Sequence, residues 1–223
     1  MTVAEHLWLE NGGVTSPGGF LGAGVYVGIK TYGPEPRLDV GLLTSDAPCA
    51  VAGVFTQNRV CGAPVELCRS RVAAGRARAV VVNSGCSNVA MGDRGRADAR
   101  RMAAIAASHL GLPEEEVLVA STGVIGRPLP IDAIERGILE MRPTVPGGAD
   151  FSRSIITTDT FVKHRAARVT VGGVTYTVGG TAKGSGMVHP DMATVLCFMT
   201  TDAPADPEWL RTTLREVADV SLN

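Results

Sequence analysis

Between residues 77 and 139, short apolar runs alternate with longer amphipathic ones, and this alternation restricts the possible folds more than any other feature. Residues 77–82 (ARAVVV) are β-formers in a run too short for a helix of its own, so they read as a buried strand. Asn83-Ser84-Gly85-Cys86-Ser87-Asn88 closes it with small polar residues. Over residues 93–110, Ala97, Met102, Ala103, Ile105, Ala106 and Leu110 recur at helical spacing. Residues 117–120 (VLVA) form a second short strand, ended by Ser121-Thr122-Gly123-Val124-Ile125-Gly126. Leu129-Pro130 then opens a helix over 131–139. A chain of this kind is α/β, with a central sheet and flanking helices.

The flanking regions add strands. Residues 13–30 read as a loop entering a strand with Ala23, Val25, Val27 and Ile29 on one face. Residues 38–43 begin another strand, ending at a Ser45-Asp46-Ala47-Pro48 turn; 51–56 and 64–68 read as a third and a fourth. Their short lengths and frequent turn residues predict a meandering, largely antiparallel sheet. Residues 70–75 read as a short helix and 142–148 as a loop. A buried strand through Ile155 and Ile156 gives way to Thr157-Thr158-Asp159-Thr160, which is either a β-branched strand end or the rim of a hydroxyl-lined pocket. Residues 166–178 alternate β-formers about Gly172-Gly173, the signature of a hairpin. Residues 208–220 predict a last helix, with Leu210, Leu214, Val217 and Val220 on one face.

Composition excludes several classes. The 223 residues carry 21 Lys+Arg against 22 Asp+Glu with no basic block, which does not suggest nucleic-acid binding. The four arginines between 94 and 101 are interleaved with Asp93 and Asp98 and read as a solvated helix face. The five cysteines, Cys49, Cys61, Cys68, Cys86 and Cys197, lack metal-ligand spacing and form an odd set, so reduced thiols are expected. The N-terminus has no secretory pattern and no window reaches the roughly 20 apolar residues of a membrane span, so a soluble cytoplasmic protein is expected. No metal cluster, phosphate loop or cofactor motif is visible.

The stretch from Lys183 to Asp202 (KGSGMVHPDMATVLCFMTTD) passes from a glycine-rich turn into an apolar strand, leaving the Thr194 hydroxyl at the boundary. This AKGSGM, Pro-containing turn, MAT and TTDA pattern resembles the ornithine acetyltransferase family of self-processing glutamate N-acetyltransferases. Further matches are GVFT at 53–56 with Asn58 and Ala63-Pro64-Val65, STGVIG followed by LP, and the TTD segment at 157–159. The 83–88 segment is similar to a family segment too, with Cys86 and Ser87 in place of Asn and Ala. On the residues alone it is either a turn between strand and helix or the wall of a site. Phe161 and Val162 depart from the family pattern, while Lys163 keeps its basic position.

The resemblance implies an α/β (α+β) layered sandwich of the DmpA/ArgJ-like, self-processing Thr-nucleophile type. It implies autocatalytic cleavage between Ala193 and Thr194, which makes residues 1–193 an α-chain portion and 194–223 the start of a β chain whose remainder is absent. Thr194 would be the nucleophile, Thr122 and Gly123 the oxyanion hole, and Thr157 and Lys183 substrate contacts. Implied substrates are N2-acetyl-L-ornithine and L-glutamate, with acetyl-CoA as donor in some members, no bound cofactor, and α and β chains associating as a heterotetramer. Two rival readings are an N-acyl amino-acid hydrolase or secondary-metabolism paralogue, and an inactive fragment acting only as an association partner.

Overall fold

The computed structural model describes residues 5–31, 35–185 and 195–222. In chain order its strands are Glu5–Trp8 (β1), Phe20–Val25 (β2), Val40–Ala50 (β3), Arg76–Cys86 (β4) and Val117–Val124 (β5). Lys163–Val171 (β6), Val174–Lys183 (β7) and Leu196–Thr201 (β8) follow. The helices are Ala63–Val72 (α1), Gly92–Leu110 (α2), Ile131–Glu140 (α3), Gly148–Ile155 (α4) and Pro207–Ser221 (α5). The strands make two four-stranded sheets, ordered β2-β3-β4-β5 and β1-β6-β7-β8. The second is antiparallel throughout; in the first only β4 and β5 run parallel.

Side-chain alternation along the first sheet separates two cores. Val40, Leu42, Ala79, Val81, Val117 and Val119 point to one face, where Met102, Ala103 and Ala106 of α2 and Ile134 and Ile138 of α3 cover them. Leu43 and Val82 point to the other, against Phe151 and Ile155 of α4. Helix α4 packs on β2, β3 and β4 and also touches β7, so it lies between the sheets. The approach is close: a Cβ on Gly24 would overlap the Ser154 hydroxyl and the Asp150 carbonyl. Phe151 meets Phe198 of β8 edge to face, with ring centroids 5.3 Å apart, and so joins the two sheets. The result is the expected layered α+β fold.

The predicted helices over 93–110 and 131–139, the strands at 77–82 and 117–120, and the hairpin about Gly172-Gly173 all form, with small shifts at their ends. Residues 64–68, read as a strand, are helical. Gly62 is extended at the N-cap and Pro64 falls in the first turn, where a missing N–H costs nothing. Pro64 and Cys68, four residues apart, share the buried face, a helical spacing that a five-residue window hides. Residues 51–56 form no strand. Arg69 stacks on the Phe55 ring and donates to the Thr56 carbonyl, so a side chain takes the place of a strand partner.

The expected turn at 45–48 is instead a bulge inside β3, where the register shifts between Thr44 and Cys49. Ser45 Oγ accepts from Ala47 N–H there at 3.2 Å. The apolar lead into Thr157 is the end of α4, not a strand: Phe151 and Ile155 are four residues apart and both fully buried. Strand β2 stops at Val25, short of Val27 and Ile29, because the Asp39 carboxylate takes the Val27, Ile29 and Lys30 N–H groups. Strand β1 was not anticipated. On α5, Val217 and Val220 are exposed and Ala218 is the buried residue.

Because Phe151 fills the space between the sheets, Phe151→Ala should cost about 3–5 kcal/mol in urea unfolding. A loss below about 1 kcal/mol would contradict its role as the link between them.

Candidate active site

Strands β4 and β5 run parallel, so their carboxyl ends open together. Asn83 pairs with Ser121, Ser84 with Thr122 and Gly85 with Gly123. Side chains lock this edge: Ser121 Oγ donates to Asn83 Oδ1 at 2.6 Å, and Asn83 Nδ2 donates to Cys86 O at 2.8 Å. Ser84 Oγ donates to the Ser154 carbonyl on α4. Beyond the strands, Ser87 N–H donates to Val124 O and Gly126 N–H to Val89 O. Residues 83–86 belong to β4 itself, so they are no plain turn, and with Ser87 and Val89 they brace the Ser-Thr-Gly segment.

Gly123 has φ +132°, a backbone state that side chains rarely adopt, and a Cβ there would collide with the Gly85 backbone. At this end of the strand Thr122 is half-buried and Gly123 is exposed. The Thr122 hydroxyl accepts a hydrogen bond from Lys183 Nζ at 3.3 Å, across 61 positions of sequence.

Lys183 ends β7 and is itself buried. Burial pushes its ammonium below the usual lysine range, the Lys163 charge acts in the same sense, and Asp159 opposes both. Its cross-strand partner is Leu196 on β8, two residues after Thr194. Ala193 and Thr194 lie outside the described residues.

Asp159 connects the remaining parts. Its Oδ1 accepts from Lys163 Nζ at 2.6 Å and from Gly184 N–H at 2.9 Å, and its Oδ2 accepts from Thr157 N–H at 3.2 Å. Thr157, the expected substrate contact, is therefore bound to the same carboxylate as the residue following Lys183. Burial alone would raise the Asp159 carboxyl, but the Lys163 bond and the two backbone N–H bonds outweigh it and hold it at about 2. Phe161, the departure from the family pattern, lies under the Lys163 ammonium at 4.7 Å and is exposed.

Sequence reasoning brought Thr122, Gly123, Thr157 and Lys183 forward, and the fold gathers all four. It missed the part played by Asp159, although an aspartate among threonines after an apolar run is the signal that could have found it. It also missed Lys30, which is 2% exposed and donates from Nζ to Leu38 O at 2.7 Å. A lysine closing the apolar VGIK run looks like a strand end turning to solvent. Two hollows lie elsewhere: about 230 Å³ beside Arg59, Asn88 and Arg96, and about 290 Å³ beside Val72 and Pro207. Neither is lined by Lys183 or Thr122, and it is their pairing that marks this site. Among the described residues no cluster of His, Cys, Asp and Glu could hold a metal ion, the five cysteines are free thiols, and no helix is long and apolar enough to cross a membrane.

A depressed carboxyl stabilises the fold where it is ionised, above its unfolded value near 4, and the contribution disappears as pH falls towards 2. Acid titration should therefore remove about 2 kcal/mol of stability between pH 4 and pH 2 that Asp159→Asn lacks. Equal acid sensitivity in both proteins would show that Asp159 does not hold this junction.

Comparison with known proteins extends the likeness to the whole chain. The ArgJ family model matches residues 22–223. The arginine biosynthesis bifunctional protein ArgJ of Symbiobacterium thermophilum is 51% identical over 218 residues, which are 97% of this chain and 54% of that protein. The chain thus spans about half the length of the curated relatives it matches. The crystal structure of the Bacillus halodurans ArgJ protein superposes with a TM-score of 0.80 at 42% identity, over 87% of this chain and 100% of the solved one. The ornithine acetyltransferase of Mycobacterium tuberculosis, solved in complex with ornithine, gives 0.76 at 38% identity over 86% of this chain and again all of the solved one. On sequence and fold together, this chain belongs to the ArgJ family.

Proposed function

We propose that the chain is the nucleophile-bearing part of a cytoplasmic, self-processing glutamate N-acetyltransferase that moves acetyl from N2-acetyl-L-ornithine to L-glutamate. The observation that carries this reading is the Lys183–Thr122 hydrogen bond, a cation and a hydroxyl meeting beside Gly123, with Leu196 opposite Lys183. Two findings from relatives support it. The solved Mycobacterium tuberculosis protein bears the name of this activity and holds ornithine. The solved chains are also covered end to end by less than the whole of this one, while the curated relatives are about twice its length, which fits a protein cut near its middle.

On this reading the bond between Ala193 and Thr194 is cut, residues 1–193 belong to the α chain and 194–223 begin the β chain. Threonine is a weak nucleophile until a base lies beside it, and the α-amine released by the cut, with a pKa near 8, is such a base. Thr194 Oγ attacks the acetyl carbonyl, and its proton passes through the amine to the departing nitrogen of ornithine as the amide C–N bond breaks. The Thr122 hydroxyl and the Gly123 N–H face the negative oxygen of the tetrahedral intermediate. Lys183 holds the α-carboxylate common to donor and acceptor, and Thr157 contacts the amino acid. The glutamate amine then attacks the acetyl ester and regenerates Thr194. Acetyl-CoA as an alternative donor uses the same acetyl-threonine, and the paired α and β chains assemble as a heterotetramer.

Mass measurement of the purified protein under denaturing conditions should give two fragments meeting between Ala193 and Thr194, and Thr194→Ala should give one uncut chain. Processing that persisted in Thr194→Ala would exclude this cleavage site. Lys183→Met should raise KM for both amino acids about ten- to a hundredfold, the worth of one charge-assisted hydrogen bond. Unchanged KM values would remove Lys183 from the substrate.

A further inference from the structure

Lys30 is a buried cation that the mechanism above does not use. Its backbone N–H is taken by Asp39 Oδ2 at 3.1 Å, and the same carboxylate also accepts from Val27 and Ile29. Among the described residues, the acceptor of its ammonium is a neutral carbonyl, Leu38 O. A buried ammonium bonded to no carboxylate is costly, and an unbranched apolar side chain would fill the same volume without that cost. Costly buried charges concentrate where a reaction uses them.

Its position fits such a use. The Lys30 side chain runs alongside Gly85, where an added Cβ would come within 3.1 Å of Lys30 Cγ. Gly85 in turn is packed backbone to backbone against Gly123. The charged groups that act on Lys30 are Arg37 and Asp39 on the segment leading into β3, Lys183 at the end of β7 and Asp159 after α4. Lys163 joins the cluster through Asp159. Four cations thus surround two carboxylates, an imbalance that one further negative charge would reduce.

We infer that Lys30 is a positioning residue of the acyl-transfer site: a fixed positive charge behind the Gly85–Gly123 backbone pair that favours negative charge developing at Thr122 and Gly123. The inference rests on the acetyltransferase reading. Lys30 does not touch substrate. It acts through the field at the oxyanion position, where a charge already in place needs no reorganisation and is little screened. Burial, with Arg37 next in effect, lowers the Lys30 pKa to about 8, so most of this charge is present at neutral pH and it is lost as pH rises through that value.

The test compares wild type with Lys30→Met in the protein as its host makes it, following acetyl transfer from N-acetylornithine to glutamate together with thermal unfolding. Lys30→Met should lower kcat on the order of tenfold at neutral pH with KM nearly unchanged, because ground-state binding belongs to Lys183. The ratio of wild-type to Lys30→Met kcat/KM should fall towards one as pH rises, with a midpoint near 8, because the Thr194 amine titrates alike in both proteins and cancels. Stability should move the opposite way. A depressed lysine costs stability below its folded pKa, so Lys30→Met should melt at a higher temperature at pH 7 than wild type. A lower melting temperature with kcat unchanged would make Lys30 a structural residue and overturn the inference. If Lys30→Met does not fold, Lys30→Gln replaces it, and a wild-type to variant kcat/KM ratio that does not change with pH contradicts the proposal. A wild-type protein without any acetyl transfer would defeat the functional reading itself, a result distinct from an active wild type whose Lys30→Met variant is equally active.

Discussion

One buried carboxylate fixes the geometry on which the candidate site depends. Asp159 holds the Thr157 N–H at the exit of α4, the Gly184 N–H at the exit of β7, and the Lys163 ammonium at the start of β6. The three bonds outweigh the cost of burying the charge. Strands β6 and β8 hold the end of β7 in its sheet, and the Asp159 bonds tie that end to the exit of α4 beside Lys183. The junction can form because Phe151 and Ile155 of α4 are packed against Leu43 and Val82. Packing sets the helix, the helix sets Asp159, and Asp159 joins both to the end of β7.

Several local costs gather at this place. Gly123 has a backbone conformation closed to most residues, Lys183 and Lys30 are buried cations, and the β4–β5 pairing becomes irregular at Gly85 and Cys86. The helical side of the first sheet shows no such conflict: Val81, Val119, Met102 and Ile134 pack as their periodicity dictates. Such a gathering of costs marks this sheet edge as the candidate site. The free carboxyl ends of a parallel strand pair are also where open sheets leave room for ligands.

Much of this was legible in the sequence, and what was not has specific causes. Helix α2, helix α3 and the β6–β7 hairpin carry long periodic patterns or a paired-glycine turn, so they could be read directly. The helix at Ala63–Val72 was hidden because its buried pair, Pro64 and Cys68, shows helical spacing only once the capping Gly62 is taken into account. Residues 155–156 looked like strand because two isoleucines at a helix end carry no period of their own. Thr122, Gly123, Thr157 and Lys183 were legible through resemblance rather than chemistry, since a threonine and a lysine 61 positions apart give no local sign that they meet. Asp159 and Lys30 act through tertiary contacts with segments far along the chain. A reading of neighbours along the sequence cannot see them.

The most direct test of the account is whether Thr194 becomes acetylated during turnover. The protein would be mixed with N-acetylornithine without glutamate, quenched in acid, digested and analysed by mass spectrometry. The account predicts an acetyl group on the peptide beginning at Thr194, lost when glutamate is added before the quench. Consumption of N-acetylornithine with Thr194 unmodified, or with the acetyl group on another residue, would contradict it.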